Sequence, residues 1–134
     1  MIVVDATVVP FLFIEGELTH AARELHEIDP GWVTPPILNH EMLHLLAALG
    51  TSEGREPMEQ LWREMRGVLG SFQQIPDPVR SLRLGIDHHL GGHEAQYLCL
   101  AQTLDLPLIT EERRLQELVP DRAFGVMEFL ARSA

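Results

Sequence analysis

The apolar and polar positions along the chain define two kinds of segment, short apolar runs and longer segments with periodic apolar residues. Short apolar runs without polar alternation, at 2–4, 32–34 and 106–109, are typical of strands buried on both faces of a sheet. Longer segments repeat apolar residues every three or four positions, which predicts amphipathic helices. Since strands and helices alternate along the chain, we predict an α/β fold with a mostly parallel sheet that helices cover on both faces.

The predicted elements form one domain over residues 1–134. The predicted helices occupy 8–14, 19–28, 37–49, 57–72, 79–90 and 93–104, with another after 110–114 and a short one after 127. A last strand is predicted within 122–127. The segment 8–14 is almost wholly apolar and is predicted as a buried helix with Pro10 in its first turn. Residues 50–55 are predicted as a polar loop.

Glu41 lies on the apolar side of the helix predicted at 37–49. At about 100° per residue, Leu38, Leu45 and Ala48 fall within roughly 60° of this acid. A bare carboxylate in that position is costly unless it is protonated, paired or bound to a metal. Glu41 is therefore the clearest candidate for a functional acid.

Three further acids occupy similar positions. Asp5 follows the first strand and Glu112 follows the strand at 106–109, and ligands bind at the carboxyl ends of strands in open α/β sheets. Glu94 begins an apolar helix face. Simple helix capping remains an alternative for Asp5 and for Glu94. Together with Glu41, these carboxylates would form a site for a hard divalent cation such as Mg²⁺ or Mn²⁺.

The composition limits the classes of partner. The formal net charge is −10, so the long-range basic field of many nucleic-acid-binding proteins is absent. Phosphate binding would have to be local or mediated by a metal. The single cysteine excludes an internal disulfide and favours a reducing, cytoplasmic location. With no apolar run near ~20 residues and no basic signal region at the N-terminus, we expect no membrane span and no secretion signal.

Four segments give the chain a resemblance to PIN-domain proteins, of the kind found as VapC-type toxins in toxin–antitoxin pairs. These segments are 3–7, 39–41, 94–101 and 108–115. The resemblance implies a three-layer α/β/α fold and a Mg²⁺- or Mn²⁺-dependent ribonuclease. The four acids that the family uses to bind metal fall on Asp5, Glu41, Glu94 and Glu112, with Thr7 and Thr110 as hydroxyl neighbours.

The resemblance also implies partners. They are a single-stranded RNA substrate, a cognate antitoxin protein and a second copy of the chain in a homodimer. The family usually has Asp where this chain has Glu94 and Glu112, and the extra methylene moves the carboxylate oxygens by about one bond length. Glu111 is an alternative to Glu112 at the last position. We expect Thr7, Thr110 and Arg113 to help hold the scissile phosphate.

Two other functions remain open from the sequence. Residues 40–44 read H-E-x-x-H, the motif in which two histidines on one helix face bind zinc and the glutamate acts as the base of a peptidase. His40 and His44 would be the zinc ligands, and Glu64 is the best candidate for a third ligand. The second alternative is a catalytically weak PIN-like binding protein.

Three histidines and the single cysteine are further residues with reactive or ligating side chains. His88, His89 and His93 lie near Glu94 in the sequence and are candidate ligands, although exposed histidines at helix ends are the simpler interpretation. Cys99 lies within an apolar helix, which favours a place in the core over a nucleophilic role.

Overall fold

Four short parallel strands form the centre of the fold in the computed structural model, which describes residues 1–133. They are β1 (Ile2–Val4), β2 (Trp32–Val33), β3 (Leu108–Ile109) and β4 (Ala123–Phe124). Their order across the sheet is β2-β1-β3-β4, and each pair of neighbours runs parallel. The predicted parallel sheet is confirmed, and all strand pairings within the described residues are parallel.

Eight helices and one 3-10 turn surround the sheet in the described part of the chain. They are α1 (Pro10–Phe13), α2 (Thr19–Ile28), α3 (Ile37–Glu53), α4 (Arg55–Leu69), the 3-10 turn Gly70–Phe72, α5 (Pro78–His88), α6 (Gly92–Leu104), α7 (Arg113–Leu118) and α8 (Val126–Ser133). Among residues 1–133, none of the helices combines the length and the apolar character needed to cross a membrane.

The order of the strands explains the three layers. The chain moves from β1 to β2 in one direction and from β2 back past β1 to β3 in the other. Because parallel crossovers are right-handed, these two connections place their helices on opposite faces of the sheet. The helix α2 packs with α1 and α8, whereas α6 packs with α5 and against β1 and β3. The α/β fold with helical layers on both faces is thereby confirmed.

The strand β1 lies at the centre of the core. The side chains of Ile2, Val3 and Val4 are all buried, because one face of the strand meets each helical layer. The largest fully buried side chains outside this strand include Trp32, Tyr97 and Leu98. Cys99 is also buried, as the apolar pattern of its helix predicted.

The predicted loop at 50–55 is wrong. The helix α3 continues through Gly50 to Glu53 and ends at Gly54, whose φ of 93° suits glycine and is strained for other residues. A glycine inside a helix costs only about 1 kcal/mol relative to alanine. The packing of α3 against α4 outweighs this cost, so the helix continues through Gly50.

The predicted buried helix at 8–14 is also wrong in part. Val8 and Val9 are fully buried, but they belong to the turn that leaves Asp5, whose carbonyl oxygen accepts hydrogen bonds from both of their amides. The helix itself is the single turn α1, which starts at Pro10 instead of residue 8, keeps Pro10 in its first turn as predicted and has half-buried side chains. The predicted boundaries of α2 are confirmed, and Leu25 on its apolar side is buried whereas Ile28 at its end is exposed.

Candidate metal centre

The direction of the strand order changes between β1 and β3. From β1 the chain continues to β2 on one side, and from β3 it continues to β4 on the other side. Such a switch point leaves a crevice beyond the carboxyl ends of the two strands, and this is where ligands bind in open α/β sheets. Asp5 follows β1 and Thr110 follows β3, so both residues lie at this crevice.

A cavity of about 140 Å³ lies at this position, and the four predicted acids all line it. The lining residues are Asp5, Ala6, Thr7, Glu41, His93, Glu94, Tyr97 and Glu112. The acids come from the end of β1, from α3, from the first turn of α6 and from the residue that precedes α7. The fold therefore brings together groups that are separated by up to about a hundred positions in the sequence.

Two threonines hold the Asp5 side of the cavity. The backbone amide of Thr7 donates to Asp5 Oδ1 at 2.9 Å, and the Thr7 hydroxyl donates to the same oxygen. Thr7 Oγ1 in turn accepts a hydrogen bond from the Glu111 amide at 2.8 Å. Thr110 is fully buried, and its Oγ1 accepts from the Glu112 amide at 3.0 Å. These bonds fix the backbone of Glu112, an exposed residue that lines the same cavity as Asp5.

Asp5 is a buried acid whose hydrogen bonds only partly compensate for its burial. Only 5% of the residue is exposed. Burial raises the pKa of its carboxyl to about 6, while hydrogen bonds from Thr110 and Thr7 lower that pKa in part and the charge of Glu41 raises it. A carboxylate in this setting gains from a nearby positive charge, which a cation would supply.

Glu41 is held from two sides. Its Oε1 accepts a hydrogen bond of 2.8 Å from the Tyr97 hydroxyl, and its Oε2 lies 3.3 Å from His93 Nδ1. Burial and the neighbouring Glu41 charge raise the pKa of the Tyr97 phenol far above its usual range, so this hydroxyl stays a donor. The prediction that Glu41 lies on the apolar side of its helix is only partly confirmed. The buried side chains of α3 are Leu38, Met42 and Leu46, so Glu41 lies at the edge of the buried face, where it has these two polar partners.

The remaining acids have distinct local roles. Glu94 Oε1 accepts from the Gly91 amide at 3.3 Å, which caps α6. Glu112 is exposed and precedes the first residue of α7. Glu111, the alternative to Glu112, points elsewhere, since its Oε2 accepts from the Val126 amide at 2.9 Å. Arg113 is exposed and does not line the cavity.

The four carboxylates are ligands of the type that suits a hard divalent cation, although their side chains do not enclose one in their present positions. Within residues 1–133, no group of three histidine, cysteine, aspartate or glutamate side chains is close enough to hold a metal ion. The carboxylates of Glu41 and Glu94 instead accept hydrogen bonds from groups of the protein. The fit rests on the chemistry of four carboxylates around one small cavity, which is the ligand type that Mg²⁺ and Mn²⁺ prefer.

The H-E-x-x-H residues lie outside this arrangement, except for Glu41. His40 and His44 are both exposed on α3. Glu64, the candidate third zinc ligand, is exposed on α4, where its Oε1 accepts from Gln60 Nε2 at 3.3 Å. These three groups do not form a metal site in the described residues.

Two larger grooves have apolar walls and contain none of the four acids. One, of about 780 Å³, lies between the segment 75–78, α5 and α6. The other, of about 620 Å³, lies between α3 and α4 and is lined in part by Leu43 and Trp62. The first has no acid in its lining, and the second has Glu59 beside Arg55 and Arg63, so neither gathers several carboxylates as the smaller cavity does.

Tyr97 is a polar lining residue that the sequence analysis did not assign to the site, and His93 was a candidate ligand for which an exposed helix-end position was the simpler interpretation. His88, His89 and His93 are exposed, as the simpler interpretation expected, yet His93 reaches Glu41. Tyr97 lies three residues after Glu94 and therefore on the same side of α6, which is the signal that could have drawn attention to it. Their contact with Glu41 depends on the packing of two distant helices.

Comparison with known proteins supports the fold. No family model and no curated protein matches this chain. The crystal structure of PAE2754 from Pyrobaculum aerophilum matches with a TM-score of 0.73 and 23% sequence identity, over 97% of this chain and 93% of that one. At this level of identity, the similarity shows that the two chains share the α/β architecture over nearly their whole length, and it extends to the fold alone.

Proposed function

We propose that this chain is a PIN-like endoribonuclease that uses Mg²⁺ or Mn²⁺ to hydrolyse single-stranded RNA. One observation carries the proposal: Asp5, Glu41, Glu94 and Glu112 come from four separate elements and line one cavity at the switch point of the sheet. Four acids in one small cavity repel one another, so a fold that assembles them suggests a cation as their partner. The PIN resemblance of the same four segments agrees with this proposal.

Each residue has a proposed task. Asp5 and Glu94 would be the main ligands, Glu41 would hold the cation from the side, and Glu112 at the mouth would orient the attacking water. The bound cation supplies charge neutralisation at the phosphodiester and a water of lowered pKa. The expected products carry a 5′-phosphate and a 3′-hydroxyl.

Thr7 and Thr110 mainly support Asp5, because both hydroxyl groups donate to its carboxyl and also accept from the amides of the segment before α7. Arg113 is exposed next to Glu112 in the sequence, and in this proposal it contacts RNA phosphate outside the cavity. Its contribution is to binding of the substrate, since it does not line the cavity.

The proposal includes a cytoplasmic antitoxin protein. A net charge of −10 favours a basic docking segment, and an inserted arginine would compete with the cation for the acids. The observation in support is the concentration of carboxylates at the cavity. Purified toxin and the product of a neighbouring gene, mixed at equal concentration, would test for a complex and for loss of cleavage.

A homodimer is also part of the proposal, and α5 offers a surface for it. Val79, Leu82 and Ile86 recur at helical spacing on α5 and are each more than half exposed. A symmetric dimer buries the same patch of both copies, so one such stripe can cover its equivalent. Arg80 and Asp87 flank the stripe with opposite charges, which favours an antiparallel pairing of two α5 helices.

A catalytically weak PIN-like binding protein is the second candidate. The observation in its favour is that Glu41 and Glu94 are engaged with Tyr97, His93 and the Gly91 amide instead of facing a common point. In this alternative the acids would bind a cation or a basic partner without rapid turnover. Cleavage that is absent in the wild type, together with measurable Mn²⁺ binding, would favour it over the nuclease.

The decisive experiment compares the wild type with Asp5→Asn on single-stranded RNA in the presence of Mn²⁺ or Mg²⁺. We expect the variant to lose activity by about 100-fold or more, since even partners outside the metal ligands cost 10–100-fold. Asp121→Asn is the matched control, because Asp121 is exposed and lies outside the cavity. Equal cleavage by wild type and Asp5→Asn would exclude the nuclease assignment.

A further inference from the structure

The contact between Tyr97 and Glu41 joins two helices at the cavity. Tyr97 is on α6 and Glu41 is on α3, 56 positions earlier, and their oxygens are 2.8 Å apart. The residue Tyr97 is 2% exposed, so its ring is fixed by the core while its hydroxyl reaches the cavity wall. Leu98 and Ala101, on the same helix, are fully buried and hold α6 in place.

The contact orients a flexible carboxylate. A glutamate side chain has three rotatable bonds, and a carboxylate near a cavity can present either oxygen. The Tyr97 hydroxyl donates to Oε1, which leaves Oε2 for the cavity side. Among residues 1–133, the polar partner of Oε2 is the exposed His93, whose Nδ1 is 3.3 Å away. A hydrogen bond to an ionised acceptor is also stronger than one between neutral groups.

We propose that Tyr97 is a positioning residue of the metal centre, which holds Glu41 so that its second oxygen faces the cation. This inference rests on the proposed function, in which the cavity takes Mg²⁺ or Mn²⁺. Groups that orient metal ligands by hydrogen bonds raise metal affinity without touching the metal. Tyr97 has the geometry of such a group, because its bond is to the carboxylate and its ring is immobile.

The test measures Mn²⁺ affinity by calorimetry for the wild type, Tyr97→Phe, Glu41→Ala and the double variant. We expect Tyr97→Phe to weaken Mn²⁺ binding by about 10-fold or more. In the Glu41→Ala background the same change should have no further effect, because Tyr97 acts through Glu41. A purely structural role would change the melting temperature but leave the affinity within twofold of the wild type, and that result would overturn the inference.

The possible failures can be told apart. If the wild type binds no Mn²⁺, both the proposed function and this inference are wrong. If the wild type binds Mn²⁺ and Tyr97→Phe binds it equally well, the inference alone is wrong. An equal loss of affinity from Tyr97→Phe with and without Glu41 would also overturn it, since the effect would then not pass through the carboxylate.

A spectroscopic measurement keeps the inference falsifiable if Tyr97→Phe does not fold. The chain has a single tyrosine, so the tyrosine doublet in its ultraviolet resonance Raman spectrum reports on Tyr97 alone. We expect the wild-type doublet to indicate that Tyr97 is a strong hydrogen-bond donor, with and without Mg²⁺. The doublet of Glu41→Ala should indicate a weaker donor. A doublet that is identical in the wild type and Glu41→Ala would overturn the inference.

Discussion

The hydroxyl oxygens of Thr7 and Thr110 lie 3.5 Å apart, although 103 positions separate the two residues in the sequence. Thr7 belongs to the turn after β1, and Thr110 directly follows β3. Each hydroxyl also accepts a hydrogen bond from the segment that leads into α7, from Glu111 and Glu112 respectively. The pair therefore joins the carboxyl ends of the two central strands at the position where the acids converge.

Thr110→Val tests how much this junction stabilises the fold. The substitution conserves shape but leaves the Glu112 amide without its acceptor and Asp5 without one of its donors. We expect the free energy of unfolding to fall by about 1–3 kcal/mol, the cost of leaving a buried polar group unsatisfied. Chemical denaturation with urea measures this quantity directly.

Thr34→Val is the matched control for that experiment. Thr34 follows β2 and is also fully buried, but its hydroxyl oxygen makes no hydrogen bond within the described residues. Replacing it by valine should therefore leave stability unchanged or raise it slightly. If Thr34→Val and Thr110→Val lower the free energy of unfolding equally, the hydrogen bonds of Thr110 do not stabilise the fold.

Asp5→Asn should stabilise the metal-free protein above pH 6. The pKa of Asp5 is raised to about 6 in the folded state, mainly by burial, from 3.8 for the unperturbed group. Between these values the folded state retains a proton that the unfolded state loses, so ionisation of Asp5 reduces stability as pH rises. The full penalty, about 3 kcal/mol, is reached above pH 6 and is absent below pH 4.

The measurement is the difference in unfolding free energy between Asp5→Asn and the wild type, in the presence of EDTA, from pH 3.5 to 8. Other carboxylates titrate in both proteins, so the difference isolates Asp5. We expect it to grow from pH 4 to 6 and then remain constant. A difference that is independent of pH would show that burial does not perturb Asp5.

Much of the fold could be predicted because its signals are local. The apolar spacing of α2, together with Asp29-Pro30-Gly31, a sequence that ends helices, predicts the bounds that the structure shows. The strands were located by their apolar runs, but the structure shortens 106–109 to Leu108–Ile109. Strand ends depend on pairing with neighbours, which one segment alone does not reveal.

The candidate site could be predicted only in part, for a similar reason. Glu41 was anomalous on its own helix, so the sequence was sufficient to select it. Whether Glu111 or Glu112 faces the cavity depends on where the turn before α7 begins, and the structure assigns Glu111 to the Val126 amide. The partners Tyr97 and His93 become visible only when α3 and α6 are brought together.

Glu41→Gln should reduce the stabilisation of the folded protein by Mn²⁺. A cation that binds only the folded state adds about 2.7 kcal/mol when its concentration is 100 times its dissociation constant. Removing one charged ligand raises that constant and thus reduces the rise in melting temperature. Glu24→Gln on the exposed side of α2 is the control and should respond to Mn²⁺ like the wild type. If Mn²⁺ raises the melting temperature of Glu41→Gln as much as that of the wild type, Glu41 is not a ligand of the metal centre.

Leu82→Glu should convert the proposed dimer to a monomer. Leu82 lies in the middle of the exposed apolar stripe of α5, and a charge there would face its own copy across a symmetric interface. Light scattering coupled to size-exclusion chromatography gives the mass of each species. Leu43→Glu, on the exposed side of α3, is the control and should keep the mass of the wild type. A wild type that is monomeric at every concentration would exclude this interface.

Glu94 is the acid whose capping role and metal role can be separated by substitution. Its Oε1 accepts from the Gly91 amide and caps α6, and the residue also lines the acidic cavity. Glu94→Gln retains an oxygen that can cap the helix but removes the charge. We expect its unfolding free energy to stay within about 0.5 kcal/mol of the wild type, as for substitutions that preserve a local contact.

Cleavage of RNA by Glu94→Gln should nevertheless fall by about 100-fold or more, because a metal ligand contributes at least as much as the groups that orient it. Glu94→Asp provides the opposite test. It retains the charge near the helix N-terminus, where the helix dipole favours it, but its shorter side chain loses the capping geometry. If Glu94 is a metal ligand, Glu94→Asp should therefore retain far more activity than Glu94→Gln. If Glu94 is only a cap, the order of the two variants will be reversed.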